Sequence, residues 1–171
     1  MTFGGDNAEA YWSYDGKSLV FQRTSLKDGI PCDQIFIGRV PENPTAPFEF
    51  KLVSTGKGRT TCAFFTKDNQ HIIYASTHMA DSDCPPKPDF SMGYIWKLYP
   101  GFDIFRASKN GNNLERLTDA PGYDAEAVYS FDGQKIIYTS LSTGDLELWT
   151  MNADGTGKKQ LTDRLGYDGG A

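Results

Sequence analysis

The sequence predicts an all-β protein, a β-propeller of four-stranded antiparallel blades with about three blades in the chain. The first reason is a repeated unit of two short strands joined by an Asp-Gly or Asp-Asn turn, found at residues 5–21, 58–74 and 122–138. The second reason is that two more strand-like segments follow each unit. The third is the spacing, because Leu117 and Leu161 occupy matching positions 44 residues apart. That period is typical of propeller blades.

Each predicted blade is a run of four strands. The first strands are short and rich in small and aromatic residues, and they are clearest at residues 8–13 and 125–130. Asp15-Gly16, Asp68-Asn69 and Asp132-Gly133 follow as hairpin turns, because these residue types tolerate positive φ. The second strands are residues 19–21, 72–74 and 136–138. The third strands, at 34–37, 103–106 and 146–149, alternate polar and apolar side chains. The fourth strands are residues 50–53, 115–118 and 159–162.

These segments divide the chain into predicted blades. We expect the first blade over residues 1–55, the second over 56–118 and the third over 119–162, with residues 163–171 beginning a fourth. The second blade contains an insertion, residues 77–101, between its second and third strands. Known propellers have about four to eight blades, so three are about half of one. We therefore expect the remainder from a second copy, as a homodimer completing a six-bladed ring, or from further sequence.

Composition excludes several classes of protein. The net charge is −5, with 17 basic residues that are scattered along the chain, which argues against nucleic-acid binding. No apolar run is long enough to span a membrane. Three cysteines are too few and too widely spaced for a zinc site. Cys84 could pair with Cys62 or with Cys32, and three unpaired thiols are a further alternative.

The turn sequences resemble a known repeat. Ser-Tyr-Asp-Gly at 13–16 and Ser-Phe-Asp-Gly at 130–133 are similar to the Ser-Pro-Asp-Gly signature of TolB-like (WD-type) propeller repeats, and the similarity extends through 143–152 and 160–162. The second blade departs from it, with Thr-Lys-Asp-Asn at 66–69 and with Cys62 where the other blades have Glu9 and Glu126. The resemblance implies a periplasmic or extracellular location. It also implies one of three roles, a periplasmic scaffold, the propeller domain of a peptidase, or a polysaccharide lyase.

The first strand of each propeller blade lines the central channel, so polar residues there should meet at one channel mouth. They are Asn7, Glu9, Thr60, Asp124, Glu126 and Asp168. One interpretation is a site for a hard cation such as Ca²⁺, or for a basic segment of a partner. The other, which we favour, is that these groups hold the turns between blades and bind channel water. The second blade offers only Thr60 and Cys62 as ligands, so we expect no resident cofactor.

The insertion carries a second candidate site. It is rich in proline and charge, and a row of aromatic residues follows, Phe90, Tyr94, Trp96 and Tyr99. A long loop with such a row could be a recognition surface, or its rings could pack over the edge of the blade. Loops after second strands share a face with the channel mouth, so we expect the insertion and the mouth to form one binding surface.

No catalytic constellation is apparent, and we expect a protein that is not an enzyme. His71 and His78 are the two histidines, and the chain has no Gly-x-Ser-x-Gly motif. The predicted function is a TolB-like module that binds a protein or peptide on its loop face. The alternatives are the propeller part of an exported peptidase or hydrolase whose catalytic domain is absent, and a sugar-binding or lyase propeller.

Overall fold

The computed structural model describes residues 2–93, 95 and 97–170, and these form three four-stranded antiparallel sheets. The first blade consists of β1 (Asp6–Trp12), β2 (Ser18–Ser25), β3 (Ile30–Arg39) and β4 (Phe50–Leu52). The second consists of β5 (Thr60–Phe65), β6 (His71–Ser76), β7 (Asp103–Ser108) and β8 (Glu115–Arg116). The third consists of β9 (Asp124–Tyr129), β10 (Lys135–Ser140), β11 (Glu147–Asn152) and β12 (Lys159–Gln160). The all-β prediction and the predicted blades of four strands are confirmed.

Strands that follow each other in the chain are neighbours in each sheet. Among the described residues the one helical element is a 3-10 turn, Leu26–Asp28, between β2 and β3. No helix in that part of the chain is long and apolar enough to cross a membrane.

The repeated hairpin turn has the same hydrogen bonds in all three blades. A hydroxyl donates to the aspartate two residues later at 2.6 Å in the pairs Ser13–Asp15, Thr66–Asp68 and Ser130–Asp132. Each carboxylate also accepts a backbone N–H from two residues further on. Both bonds favour the charged carboxylate, so the pKa of each of these aspartates is lowered. The divergent second copy therefore builds the same turn, since threonine supplies the hydroxyl and Asn69 adopts a positive φ of 56°.

The hydrophobic core lies between the blades. Alternating side chains of a strand point to opposite faces of its sheet. In β6, Ile72 and Tyr74 pack with Val20 and Ile35 of the first blade. Ile73, between them, packs with Ile136 of the third blade. The middle blade is thus apolar on both faces, and burying these faces against the neighbouring blades drives them to stack.

In every blade a β-bulge interrupts the hairpin formed by the first and second strands, and the first strand is called the inner strand below. The strand register shifts between β1 and β2, between β5 and β6, and between β9 and β10. The residues in the left-handed conformation there are Glu9, Cys62 and Glu126, with φ of 48°, 50° and 58°. A β-carbon makes that conformation unfavourable by about 1–2 kcal/mol. The three residues thus occupy equivalent places on the inner strands, as their alignment in the sequence suggested.

Two segments, one at the start of β9 and one after β12, bond to the blade that precedes them. Tyr123 forms a parallel bridge with Phe102, and Asp124 N–H donates to the Phe102 carbonyl at 2.9 Å. Tyr167 forms the same bridge with Leu146, and Asp168 N–H donates to the Leu146 carbonyl at 2.9 Å. Residues 166–168 therefore repeat on the third blade the arrangement that residues 122–124 adopt on the second.

Candidate functional site

The structure divides the six polar residues that the sequence placed at the channel mouth. Glu9 and Glu126 lie near Cys62. Burial, together with the two carboxylates, raises the pKa of the Cys62 thiol to about 11. Thr60 is fully buried and donates to the Asp33 carbonyl at 3.0 Å. Asp124 is also buried, and burial raises its pKa although hydrogen bonds from Ser140 and Thr118 oppose the shift.

The remaining two residues predicted for the mouth are Asn7 and Asp168. Asn7 is exposed, and its amide donates to the Gly4 and Gly5 carbonyls at 3.4 Å. Asp168 is half-buried and bonds to the third blade through its backbone. The side chains of Thr60 and Asp124 are buried in contacts of their own. That all six residues meet at one channel mouth stays a prediction.

The two glutamates on the inner strands, Glu9 and Glu126, already accept hydrogen bonds from other groups of the chain. Glu126 accepts hydrogen bonds from Thr139 at 2.7 Å, from the Gly170 N–H at 2.7 Å and from the Tyr167 hydroxyl at 3.2 Å. Glu9 accepts from the Tyr11 hydroxyl at 2.6 Å. Within the described ranges no three His, Cys, Asp or Glu side chains are placed to hold a metal ion. These contacts favour a structural role for the inner carboxylates.

A cleft of about 180 Å³ lies between the insertion and the neighbouring strand ends. The insertion contributes the mostly apolar wall, Pro88, Phe90, Ile95, Lys97 and Tyr99. The blades contribute the opposite wall, Gln22, Asp33, Arg59, Thr60, Thr61, Phe102 and Tyr123. One residue predicted for the mouth, Thr60, borders this cleft, but its side chain is buried beneath the cleft surface.

A disulfide holds the insertion in this position. Cys32 at the start of β3 is bonded to Cys84 in the insertion, with their Cα atoms 5.8 Å apart. The bridge joins the first blade to a loop of the second, and Cys62 is left as a free, half-buried thiol. Gly58 N–H donates to the Ser82 carbonyl at 2.8 Å, and the Tyr99 hydroxyl donates to the Pro86 carbonyl at 2.8 Å. The disulfide and the Gly58–Ser82 bond thus anchor the insertion to the blades, and the Tyr99–Pro86 bond joins two parts of the insertion to each other.

Two cations flank one aromatic ring in the cleft. The ring of Tyr99 is 5.3 Å from the Arg59 guanidinium and 5.1 Å from the Lys97 ammonium, both within cation–π range. An Asp33 carboxylate oxygen lies 3.8 Å from Arg59. The Nε of Arg59 is buried and has no hydrogen-bond acceptor among the described residues.

The aromatic residues of the insertion fall into different environments. Tyr99 is only 7% exposed and packs down against the blades, whereas Phe90 is 50% exposed and lines the cleft. Tyr94 and Trp96 lie outside the described residues. Of the two interpretations left open by the sequence, packing against the blade describes Tyr99, and an exposed recognition surface remains open for Phe90.

Sequence reasoning did not single out Arg59, Asp33, Ile95 or Lys97. One signal was available for Arg59. It follows the repeat glycine at the place where the other copies have Asp6, Tyr123 and Tyr167, so a cation there departs from the repeat. No such signal exists for Ile95 or Lys97, because the insertion has no counterpart in the other blades.

The fold is similar to that of known β-propeller proteins. Among solved structures, TolB from Acinetobacter baumannii superimposes with a TM-score of 0.67 and 20% identity, covering 95% of this chain and 34% of TolB. The blades are those of a TolB-like propeller. A puromycin hydrolase superimposes with a TM-score of 0.60 and 15% identity over 96% of this chain and 24% of the hydrolase. One component of a nidogen/laminin complex matches with a TM-score of 0.61 and 13% identity, covering 92% of this chain and 48% of its own.

TolB-like blades are thus shared by proteins of different function, and at these identities the likeness concerns the fold alone. No protein-family model matches the chain. An uncharacterized protein of Agrobacterium fabrum (strain C58 / ATCC 33970), Atu1656, is 32% identical over 62 residues, which is 36% of this chain and 21% of that protein. The chain spans about a fifth of the length of this curated relative.

Proposed function

We propose that the chain is a non-catalytic binding module that holds a protein or peptide segment in the cleft beneath the insertion. The observation that carries the proposal is the tethered insertion itself. A covalent bridge fixes it over the loop face and leaves an open space with one apolar wall and one polar wall. Recognition sites combine such apolar surface with a few placed polar groups.

The surroundings of the two histidines support the absence of catalysis. His78 Nδ1 lies 2.9 Å from the Ser76 hydroxyl, but Ser76 is fully buried and out of reach of a substrate. Burial lowers the pKa of His78, and Arg116 and Lys57 lower it further. His71 lies 3.9 Å from Asp68 at the far end of β6 from the insertion. Neither histidine therefore forms an accessible nucleophile–base pair of the kind acyl transfer requires.

The proposal is tested by selecting displayed peptides against the purified protein and measuring their affinity by fluorescence anisotropy. The double variant Phe90→Ala/Ile95→Ala removes apolar wall from the cleft and should weaken binding at least tenfold. Phe131→Ala is the matched control, because Phe131 is 83% exposed in the turn between β9 and β10, at the other end of the strands. Peptides that bind all three proteins equally, or a selection that yields no binder, would contradict the proposal.

A second candidate function is the propeller portion of a hydrolase. The similarity to the puromycin hydrolase, of which this chain covers 24%, favours it. The two candidates can be distinguished by sequencing the DNA on both sides of this coding region. A hydrolase domain encoded in the same reading frame would favour the second candidate, and its absence would favour the first.

We also propose that a second copy covers the open sides of the three blades, as a homodimer completing a six-bladed ring. The same face-to-face packing occurs twice within the chain, between the first and second and between the second and third blades. The first blade carries a separate cluster of aromatic rings, in which Phe48 and Phe50 are half-buried over Phe21 and Phe36, and Leu161 after β12 is half exposed. A monodisperse monomer in multi-angle light scattering would overturn this assembly.

The proposed location is the periplasm or the cell exterior. The Cys32–Cys84 disulfide supports it, because such bonds persist mainly in oxidising compartments.

A further inference from the structure

The cleft concentrates positive charge in a protein whose net charge is −5. Arg59 and Lys97 both line it, and Asp33 is the one acidic residue among its walls. The charged side chains of the cleft therefore sum to one positive charge. A ligand that carries one negative charge would balance it.

Arg59 is the group best placed to receive that negative charge. Its contact with Asp33, at 3.8 Å, is longer than a charge-assisted hydrogen bond of about 2.7–2.9 Å. The other Asp33 oxygen accepts from the Thr24 hydroxyl at 2.7 Å, so Asp33 is shared between two partners. The Arg59 side chain is 20% exposed and lines the cleft, so a ligand can reach its guanidinium, whereas the buried Nε lies out of reach. A planar guanidinium matches the two oxygens of a carboxylate.

The rest of the cleft selects what accompanies the carboxylate. Phe90, Ile95 and Phe102 supply apolar wall beside the two cations. The cleft has a volume of about 180 Å³, well above the roughly 10–15 Å³ that admits one water molecule, so it has room for a side chain. A doubly charged phosphate would exceed the single positive charge of the walls and would leave the apolar surface without a partner.

We propose that the cleft binds the C-terminal residue of a peptide, with the α-carboxylate at Arg59 and Lys97 and an apolar side chain against Phe90 and Ile95. This rests on the proposed function and specifies which part of the peptide is recognised. Tyr99 holds the two cations on its ring, so the insertion positions the charges as well as the apolar wall.

The test uses pairs of fluorescein-labelled peptides of one sequence ending in phenylalanine or leucine, with a free carboxylate or an amide. Fluorescence anisotropy should show the free acid binding the intact protein at least tenfold more tightly than the amide. Lys97→Gln should reduce that preference several-fold, and Arg59→Gln should abolish it. Lys87→Gln is the matched control, since Lys87 is an exposed cation of the same insertion outside the cleft, and it should keep the full preference.

Three outcomes would overturn the inference in distinguishable ways. Acid and amide binding equally, with affinity lost in Phe90→Ala/Ile95→Ala, would refute carboxylate recognition and leave the proposed function standing. Binding of N-acetylphenylalanine as tight as that of the peptides would refute the peptide as the source of the carboxylate. No binding of any peptide would refute both proposals. Lys97→Gln keeps the test valid if Arg59→Gln fails to fold, because the Lys97 side chain is exposed.

Discussion

Removing the Cys32–Cys84 disulfide should destabilise the protein and disconnect the insertion. The two cysteines are 52 residues apart in sequence. Closing a loop of that length reduces the entropy of the unfolded chain, which corresponds to about 4 kcal/mol at 25 °C. For a protein of this size, that loss lowers the melting temperature by roughly 8–16 °C. The Cys32→Ser/Cys84→Ser variant should therefore unfold at markedly lower urea concentration.

The assay is equilibrium urea unfolding followed by tryptophan fluorescence, with and without dithiothreitol. The wild type should shift toward the double variant when reduced, while the double variant should not respond. Cys62→Ser is the control, because Cys62 is a free thiol and the variant keeps the bridge. If the double variant loses less than about 1 kcal/mol, or if Cys62→Ser loses as much, the bridge does not restrain the chain as described.

Three further substitutions test local features, each by urea unfolding. Burial raises the pKa of Asp103 from 3.8 to about 6 despite its ion pair, so the folded state holds this proton to higher pH than the unfolded chain. Relative to Asp103→Asn, the wild type should lose stability as pH rises from about 4 to about 6. Gly38→Ala should cost about 1–3 kcal/mol, because the new Cβ would lie 2.4 Å from the Phe48 ring. Ser13→Ala should cost about 1–3 kcal/mol, because the Ser18 N–H loses its side-chain acceptor and the Asp15 carboxylate loses a donor, and it should cost more than Ser130→Ala, whose site is less buried.

Each of these predictions has a contrary result. Wild type and Asp103→Asn with parallel stabilities across that pH range would show that burial does not hold the proton. An unchanged Gly38→Ala would mean that Phe48 can move aside freely. Equal losses in the two serine variants would mean that burial of the turn is unimportant.

The blades were predictable because local chemistry repeats in them. A hydroxyl two residues before an aspartate forms the same turn whether the residue is Ser13 or Thr66, so departures from the signature did not obscure it. Apolar alternation then identified the second and third strands. Both features depend on neighbours in the chain, which a single sequence displays directly.

The burial of two residues predicted for the channel mouth could not be read from the sequence, because each lies two residues before a β-bulge. In a regular strand, Thr60 would point to the same face as position 62, and Asp124 to the same face as Glu126. The left-handed residues at Cys62 and Glu126 redirect those side chains, and Thr60 and Asp124 are buried instead. No residue type marks these bulges, because neither glycine nor asparagine occupies them.

The disulfide and the cleft depend on where a non-repeating loop passes. The pairing of Cys32 with Cys84 crosses from one blade to the insertion of the next. Ile95 and Lys97 reach the cleft by the same path. Periodicity contains no information on that path, so the choice between the cysteine pairings and the placement of Ile95 and Lys97 required the structure.

The hydrogen bonds that connect successive blades make the third blade depend on the second. Residues 122–124 are bonded to the second blade before they become the inner strand of the third. Unfolding the second blade therefore removes the anchor of the third, whereas the four strands of the second can stay paired when the third opens. Stability in such an array depends on each repeat and on its interface with the next. Local opening should thus spread more readily toward the C-terminal blades than back along the chain, and the order in which blades are lost is set by chain polarity as well as by packing.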